Sequence, residues 1–176
     1  GPSAFWGQSG GPGPDERYLF ARPTDVTWDT EGNIFVSDGY FNHRVVKYTP
    51  DGRYVGQVGT GQRGSGVDEF STPHTIASDN QGNIYVGDGH SGQGANAGPE
   101  TVARIAKFDR AGRFLGSWGK WGAGVGEMRT PHALDIDSRG RLIVGDRGNN
   151  RIQIFDQDGQ FLDVWHQFGR PSGIYI

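Results

Sequence analysis

Two histidines stand at the same place in a repeated phrase. Gly61–His74 (GQRGSGVDEFSTPH) and Gly119–His132 (GKWGAGVGEMRTPH) match as Gly-x-x-Gly-x-Gly-Val-x-Glu-(apolar)-x-Thr-Pro-His. Equivalent positions of a repeat face equivalent directions, so the His74 and His132 imidazoles can converge on one point. Imidazole is the commonest metal ligand. A catalytic zinc typically takes three protein ligands and keeps one position for water or substrate. Two are supplied here, and Thr24 occupies the corresponding place near the start of the chain. A third ligand is therefore expected from a repeat beyond this chain. The plainer alternative is that each ring is simply hydrogen-bonded in place.

Other chemistry-bearing residues read more blandly. Gly59-Thr60-Gly61-Gln62-Arg63-Gly64 satisfies Gly-x-Gly-x-x-Gly, but no helical pattern follows to present its N-terminus to a phosphate. The recurring Asp38, Asp88 and Asp146 read as acceptors at chain corners rather than as acids for catalysis. His90 occupies the Tyr40 position of its repeat, which leaves a channel or rim contact open, but it begins the Gly-rich stretch HSGQGANAGPET (90–101), which lacks apolar anchors and reads as a mobile loop that favours plain exposure. His43 and His166 fall at the ends of apolar runs and are expected in solvent. No Ser-His-Asp arrangement stands out. The chain holds no cysteine, so disulfides, thiolate nucleophiles and cysteine zinc sites are excluded.

The elements that carry these residues repeat three times. Pro23, Pro73 and Pro131 each open a unit, and Pro171 opens the beginning of another. In each full unit a glycine follows at Gly32, Gly82 or Gly140, and an aspartate at Asp38, Asp88 or Asp146. An Arg-led apolar run comes next: RVVKY from Arg44, RIAKF from Arg104, RIQIF from Arg151. A last run closes each unit after a turn at Gly52, Gly112 or Gly159. The runs are short, rich in β-branched and aromatic residues, and separated by glycine turns, which predicts four strands per unit. A lone four-stranded sheet cannot cover both its faces. Stacking such sheets around an axis does so, and four strands in a unit of about 40 residues mark a β-propeller blade. The fold class is all-β, a propeller of four-stranded blades at about 20–60, 70–119 and 128–168, forming a single partial domain over 1–176. Phe5-Trp6-Gly7 matches the closing Trp118-Gly119, with Trp6, Trp118 and Trp165 reading as blade packing. Arg170–Ile176 is expected to be an opening strand. A closed ring of this kind usually has about six blades, so the chain is expected to be part of a longer protein or to self-associate with a second copy.

Composition sets the remaining bounds. The 31 glycines and 9 prolines would suit a disordered chain, but 12% aromatic residues argue for a folded, turn-dense protein. A net charge of −3 gives no reason to expect nucleic acid or an anionic membrane as partner. No apolar run approaches the roughly 20 residues of a spanning helix, and the N-terminus carries no signal-peptide core.

The pattern Pro-x-x-(apolar)-x-(apolar)-Asp, then Gly-Asn-(apolar)-(apolar)-Val-x-Asp, then Asn-x-Arg-(apolar), best carried by Pro23–Tyr48 and Pro131–Phe155, resembles the NHL-repeat propellers. Arg22-Pro23-Thr24-Asp25-Val26, the Pro-His openings, SDGYFNHR (37–44) and GDRGNNR (145–151) narrow the likeness further. They resemble peptidyl-α-hydroxyglycine α-amidating lyase and its bacterial relatives. That resemblance implies zinc held by three channel histidines, with His74 and His132 at matching positions, and calcium as a further metal. It implies Tyr40 as base or oxygen ligand and Arg147 as the cation that orients substrate. It also implies a peptide or small-molecule substrate and a secreted or periplasmic setting. The alternative is a non-catalytic NHL module that binds or scaffolds a peptide, protein or small ligand.

Overall fold

The computed structural model describes residues 17–176. Phe5–Gly7, including Trp6, and most of the first connector lie outside the described residues. Three four-stranded antiparallel sheets follow one another along the chain. The first comprises β1 (Asp25–Trp28), β2 (Ile34–Asp38), β3 (Arg44–Tyr48) and β4 (Tyr54–Val58). The second comprises β5 (Pro73–Ser78), β6 (Ile84–Asp88), β7 (Arg104–Phe108) and β8 (Phe114–Trp118). The third comprises β9 (Pro131–Ile136), β10 (Leu142–Asp146), β11 (Arg151–Phe155) and β12 (Phe161–Trp165). Each sheet is a simple meander in strand order, and the first strands β1, β5 and β9 lie side by side. Four-stranded meanders ranged by their first strands are the blades of a β-propeller. Among the described residues the helical content is two 3₁₀ turns, His90–Gln93 and Arg147–Asn149, and no helix there is long and apolar enough to cross a membrane.

The alternation of side chains along a strand explains the stacking. On β6, Ile84 and Val86 face the first sheet and join Phe35, Val45, Ile76 and Phe108 in one core. Tyr85, between them, points the other way and joins Leu134, Leu142, Val144 and Phe155 in the next. Trp118 packs on that second core and Trp165 on the outer side of the third sheet, in keeping with a packing role. The stacking is tight enough to dictate a glycine: a Cβ on Gly39 would overlap the Pro73 carbonyl oxygen of the next sheet.

The repeated aspartates pin each connector to its sheet. Asp146 accepts from the Arg129 and Thr130 backbone N–H groups, from Asn149 Nδ2 (2.7 Å) and from Arg151 Nε (3.0 Å). Asp88 does the same for Ser71, Thr72 and Arg104, and Asp38 for Ala21, Asn42 and Arg44. The paired arginine then donates to connector carbonyls: Arg151 to Ala123, Gly124 and Glu127, and Arg104 to Ser65, Gly66 and Glu69. All three carboxylates are fully buried and fully engaged, so they are structural acceptors, as their place at the corner suggested. The residue placed by this device is the Pro-x pair that opens each following strand.

The expected exposure of His43 is corrected, and two other segments need description. The 90–101 stretch is a chain of tight turns, with Gly92, Gly94, Ala97 and Thr101 N–H groups donating three residues back. Local turn bonds supply the order that apolar anchors would otherwise give. Arg170–Ile176 forms no ladder with any described strand, but Ile176 N–H reaches Asp135 Oδ2 at 2.9 Å. His43 is partly buried at a left-handed φ of 47°, and burial lowers its pKa.

Candidate metal centre

His74 is the second residue of β5 and His132 the second residue of β9, so adjacent first strands bring both rings to the same end of the inner groove. Their centroids lie 4.1 Å apart. A third ring joins them. His90 stacks on His74 at 4.0 Å and stands 5.3 Å from His132. One ligand nitrogen from each of the three lies within 4.8 Å of the others. A third histidine of the cluster thus comes from the second repeat of this chain, where the sequence had pointed to a repeat beyond it. The signal was in the register of the repeat: Asp88-Gly89-His90 aligns with Asp38-Gly39-Tyr40. The 3₁₀ turn at His90–Gln93 carries that position inward rather than out into solvent.

Thr24 stands where a fourth histidine would be, but it serves the scaffold. Its Oγ1 lies 3.1 Å from both the Ser37 and Pro73 carbonyl oxygens, bridging the first two sheets. Tyr40 meets the cluster from the first sheet, its hydroxyl 3.4 Å from His90 Nε2 and its ring edge-on to both His74 and His90. Arg147 meets it from the third sheet, with Nη1 donating to Ser172 Oγ and a buried Nε that has no partner among the described residues. His132 Nδ1 lies 3.1 Å from the Ser172 carbonyl oxygen, an acceptor only, so the proton sits on Nδ1 and Nε2 keeps its lone pair. Below the cluster a groove of about 550 Å³ runs along β1, β5 and β9, with Asp25, Trp28 and Asp135 in its walls.

The electrostatics keep these rings neutral. Burial, then the neighbouring His90 and His132, then Arg147 push His74 down to about 3. Burial, His132 and Arg147 push His90 down to about 4. His132 is lowered mainly by burial and Arg147, against a counter-effect from its bond to Ser172. Three uncharged imidazoles present lone pairs at neutral pH, which is the state a metal requires. His74 Nδ1 is buried without a partner among the described residues, a cost that a metal or water would relieve. Ligands on a tetrahedral zinc stand about 3.3 Å apart, so closing the set requires His74 and His90 to turn out of their 4.0 Å stack. The donor set suits zinc or another first-row ion. It does not suit calcium, which takes six to eight oxygens.

The same shifts fix a pH dependence. Because the folded pKa values lie below the ordinary 6.5, the unfolded chain binds more protons than the folded one as pH falls from about 6.5 to about 3. Stability contributed by the neutral cluster is therefore complete above that window and lost on acidification through it. In urea titrations with chelator present, the unfolding midpoint of the wild type should fall between pH 7 and pH 5. A His74→Gln/His90→Gln double variant should lose less over the same interval.

The fold defines a β-propeller built of four-stranded blades, and comparison with known proteins gives its type. The NHL repeat matches residues 128–155. Human NHL repeat-containing protein 3 is 33% identical over 170 residues, covering 88% of this chain and 47% of that protein. Peptidyl-glycine alpha-amidating monooxygenase B of Xenopus laevis is 34% identical over 174 residues, 96% of this chain and 13% of that protein. The probable peptidyl-alpha-hydroxyglycine alpha-amidating lyase pgal-1 of Caenorhabditis elegans is 38% identical over 64 residues, 36% of this chain and 18% of that protein. Among solved structures, the WD40 repeats of RRP9 superpose with a TM-score of 0.57 at 10% identity, over 84% of this chain and 40% of that one, a likeness of fold alone. The chain is an NHL-type β-propeller with homology to the amidating enzymes. It spans about half the length of NHL repeat-containing protein 3 (47%) and far less of the amidating proteins.

Proposed function

We propose that His74, His90 and His132 hold a divalent metal, zinc by donor type, in a lyase site acting on peptidyl-α-hydroxyglycine-type substrates. The observation that carries this reading is the convergence of three neutral imidazoles with one phenol and one guanidinium, drawn from all three repeats. Bound there, zinc supplies Lewis acidity that eases loss of a proton from a substrate hydroxyl. The chain's own groups do the rest. Arg147 pairs with the substrate carboxylate and orients the carbinolamide carbon toward the cluster. Tyr40, within reach of His90, would take the hydroxyl proton as its phenolate, the form that the zinc and the Arg147 guanidinium would favour. As that O–H electron pair becomes the aldehyde C=O, the C–N bond breaks, its pair stays on nitrogen, and nitrogen takes up the proton that Tyr40 received. The products are the peptide amide and glyoxylate, so the atoms balance without water or an oxidant. The name of the nematode relative supports this reaction class, and that of the frog relative supports amidation chemistry in general. Human NHL repeat-containing protein 3, matched over 88% of this chain, carries no reaction in its name. That favours, as a second reading, a module that holds a peptide or small ligand in the groove.

Glyoxylate release from a peptidyl-α-hydroxyglycine by the zinc-loaded chain separates the two readings. The lyase reading expects turnover that drops by about a hundredfold or more in kcat for Tyr40→Phe, and a raised KM for Arg147→Ala. A folded, zinc-loaded chain that binds the substrate and releases no glyoxylate would leave the binding module.

A further inference from the structure

One of the three histidines is held differently from the others. His132 gives its Nδ1 proton to the Ser172 carbonyl and keeps Nε2 open, the usual second contact of a ligating histidine. His90 Nε2 instead lies 2.9 Å from Gln93 Nε2, with Tyr40 Oη at 3.4 Å. The orientation of the Gln93 amide follows from its other end. Arg170 Nη2 is 3.1 Å from Gln93 Oε1, and a guanidinium can only donate, so the oxygen faces Arg170 and the NH₂ faces His90. His90 Nε2 must therefore accept, and the ring proton sits on Nδ1.

We infer that Gln93, oriented by Arg170, is a latch on His90 that weakens metal binding at the cluster. The inference rests on the metal-site reading above. To ligate through Nε2, His90 must displace the Gln93 amide. To ligate through Nδ1, it must move its proton to Nε2, where it meets the Gln93 NH₂ instead of an acceptor. Rotating the amide would supply that acceptor, but it would turn the NH₂ toward the Arg170 guanidinium. Each route breaks one hydrogen bond that the metal-free chain makes, and the latch side chains are both exposed, so neither is needed for the core. Gln93 is thus a positioning residue: it sets which nitrogen of His90 is available and how readily.

The test is zinc affinity, measured by competition with a chromogenic chelator, alongside the cobalt(II) absorption spectrum. Gln93→Leu removes the donor, and Arg170→Met frees the amide to rotate. Each should tighten zinc binding by roughly three- to tenfold, with cobalt bands of unchanged tetrahedral intensity. Because both act through one amide, the double variant should bind no more tightly than Gln93→Leu alone. Unchanged or weaker affinity in variants with wild-type melting would overturn the latch. So would a fully additive double variant, which would mean that Arg170 acts by its charge on the incoming ion. Absence of saturable zinc binding in the wild type and in every variant is a separate outcome that overturns the metal site itself.

Discussion

Alanine at His90 lowers zinc affinity by more than about a hundredfold, as far as alanine at His74 or His132 does. Loss of a supporting contact to a ligating histidine already costs about 10- to 100-fold, and loss of the ligand itself costs more. The expectation is specific to the geometry: the His90 ring is stacked on His74 at 4.0 Å and its nitrogen belongs to the set that closes within 4.8 Å. A His90 that merely lined the groove would change affinity less than about threefold, because the two remaining rings would still hold the ion as before. Competition titration of the three single variants decides this, with circular dichroism as the control for folding.

Alanine at Asp146 costs about 3–5 kcal/mol of folding stability, the range seen when one partner of a buried ion pair is removed. The carboxylate is fully buried and the Arg151 side chain nearly so, and their Nε–Oδ2 distance is 3.0 Å. Truncation leaves the Arg151 charge without its counter-ion and strips acceptors from the Arg129 and Thr130 N–H groups and from Asn149. Those N–H groups lead directly into Pro131 and His132, and Asp146 itself precedes Arg147. The variant should therefore lose zinc affinity together with stability, whereas Asp146→Asn, which keeps one acceptor, should lose less of both. A urea-unfolding change under about 1 kcal/mol for Asp146→Ala would contradict the corner as the device that places the site.

How far the sequence discloses this arrangement differs by residue. The strands were legible because the runs from Ile34, Ile84 and Leu142 alternate in a strict repeat and each ends at an aspartate. The corner role of those aspartates was legible for the same reason, since an acid common to every repeat suits scaffold better than chemistry. His74 and His132 could be paired because connectors of one pattern deliver both. His90 could not be recruited by composition: HSGQGANAGPET has no apolar anchor, and its order comes from turn hydrogen bonds that leave no hydrophobic trace. The segment after Arg170 is legible only in part. Its Pro171 repeats the opening signal of a blade, but strand assignment depends on a ladder partner that the local sequence does not encode. Its contacts to Gln93, His132 and Arg147 are tertiary, and nothing in the spacing announces them.

The most direct measurement is X-ray absorption at the zinc edge of the metal-loaded chain. A centre made of His74, His90 and His132 gives the outer-shell scattering of three imidazoles, with first-shell nitrogens at about 2.0–2.1 Å and one further light-atom ligand. Those imidazole signals should fall from three to two in the His90→Ala protein. Zinc bound by two imidazoles or fewer in the wild type, or a folded protein that takes up none, would contradict the three-histidine centre on which the proposed chemistry depends.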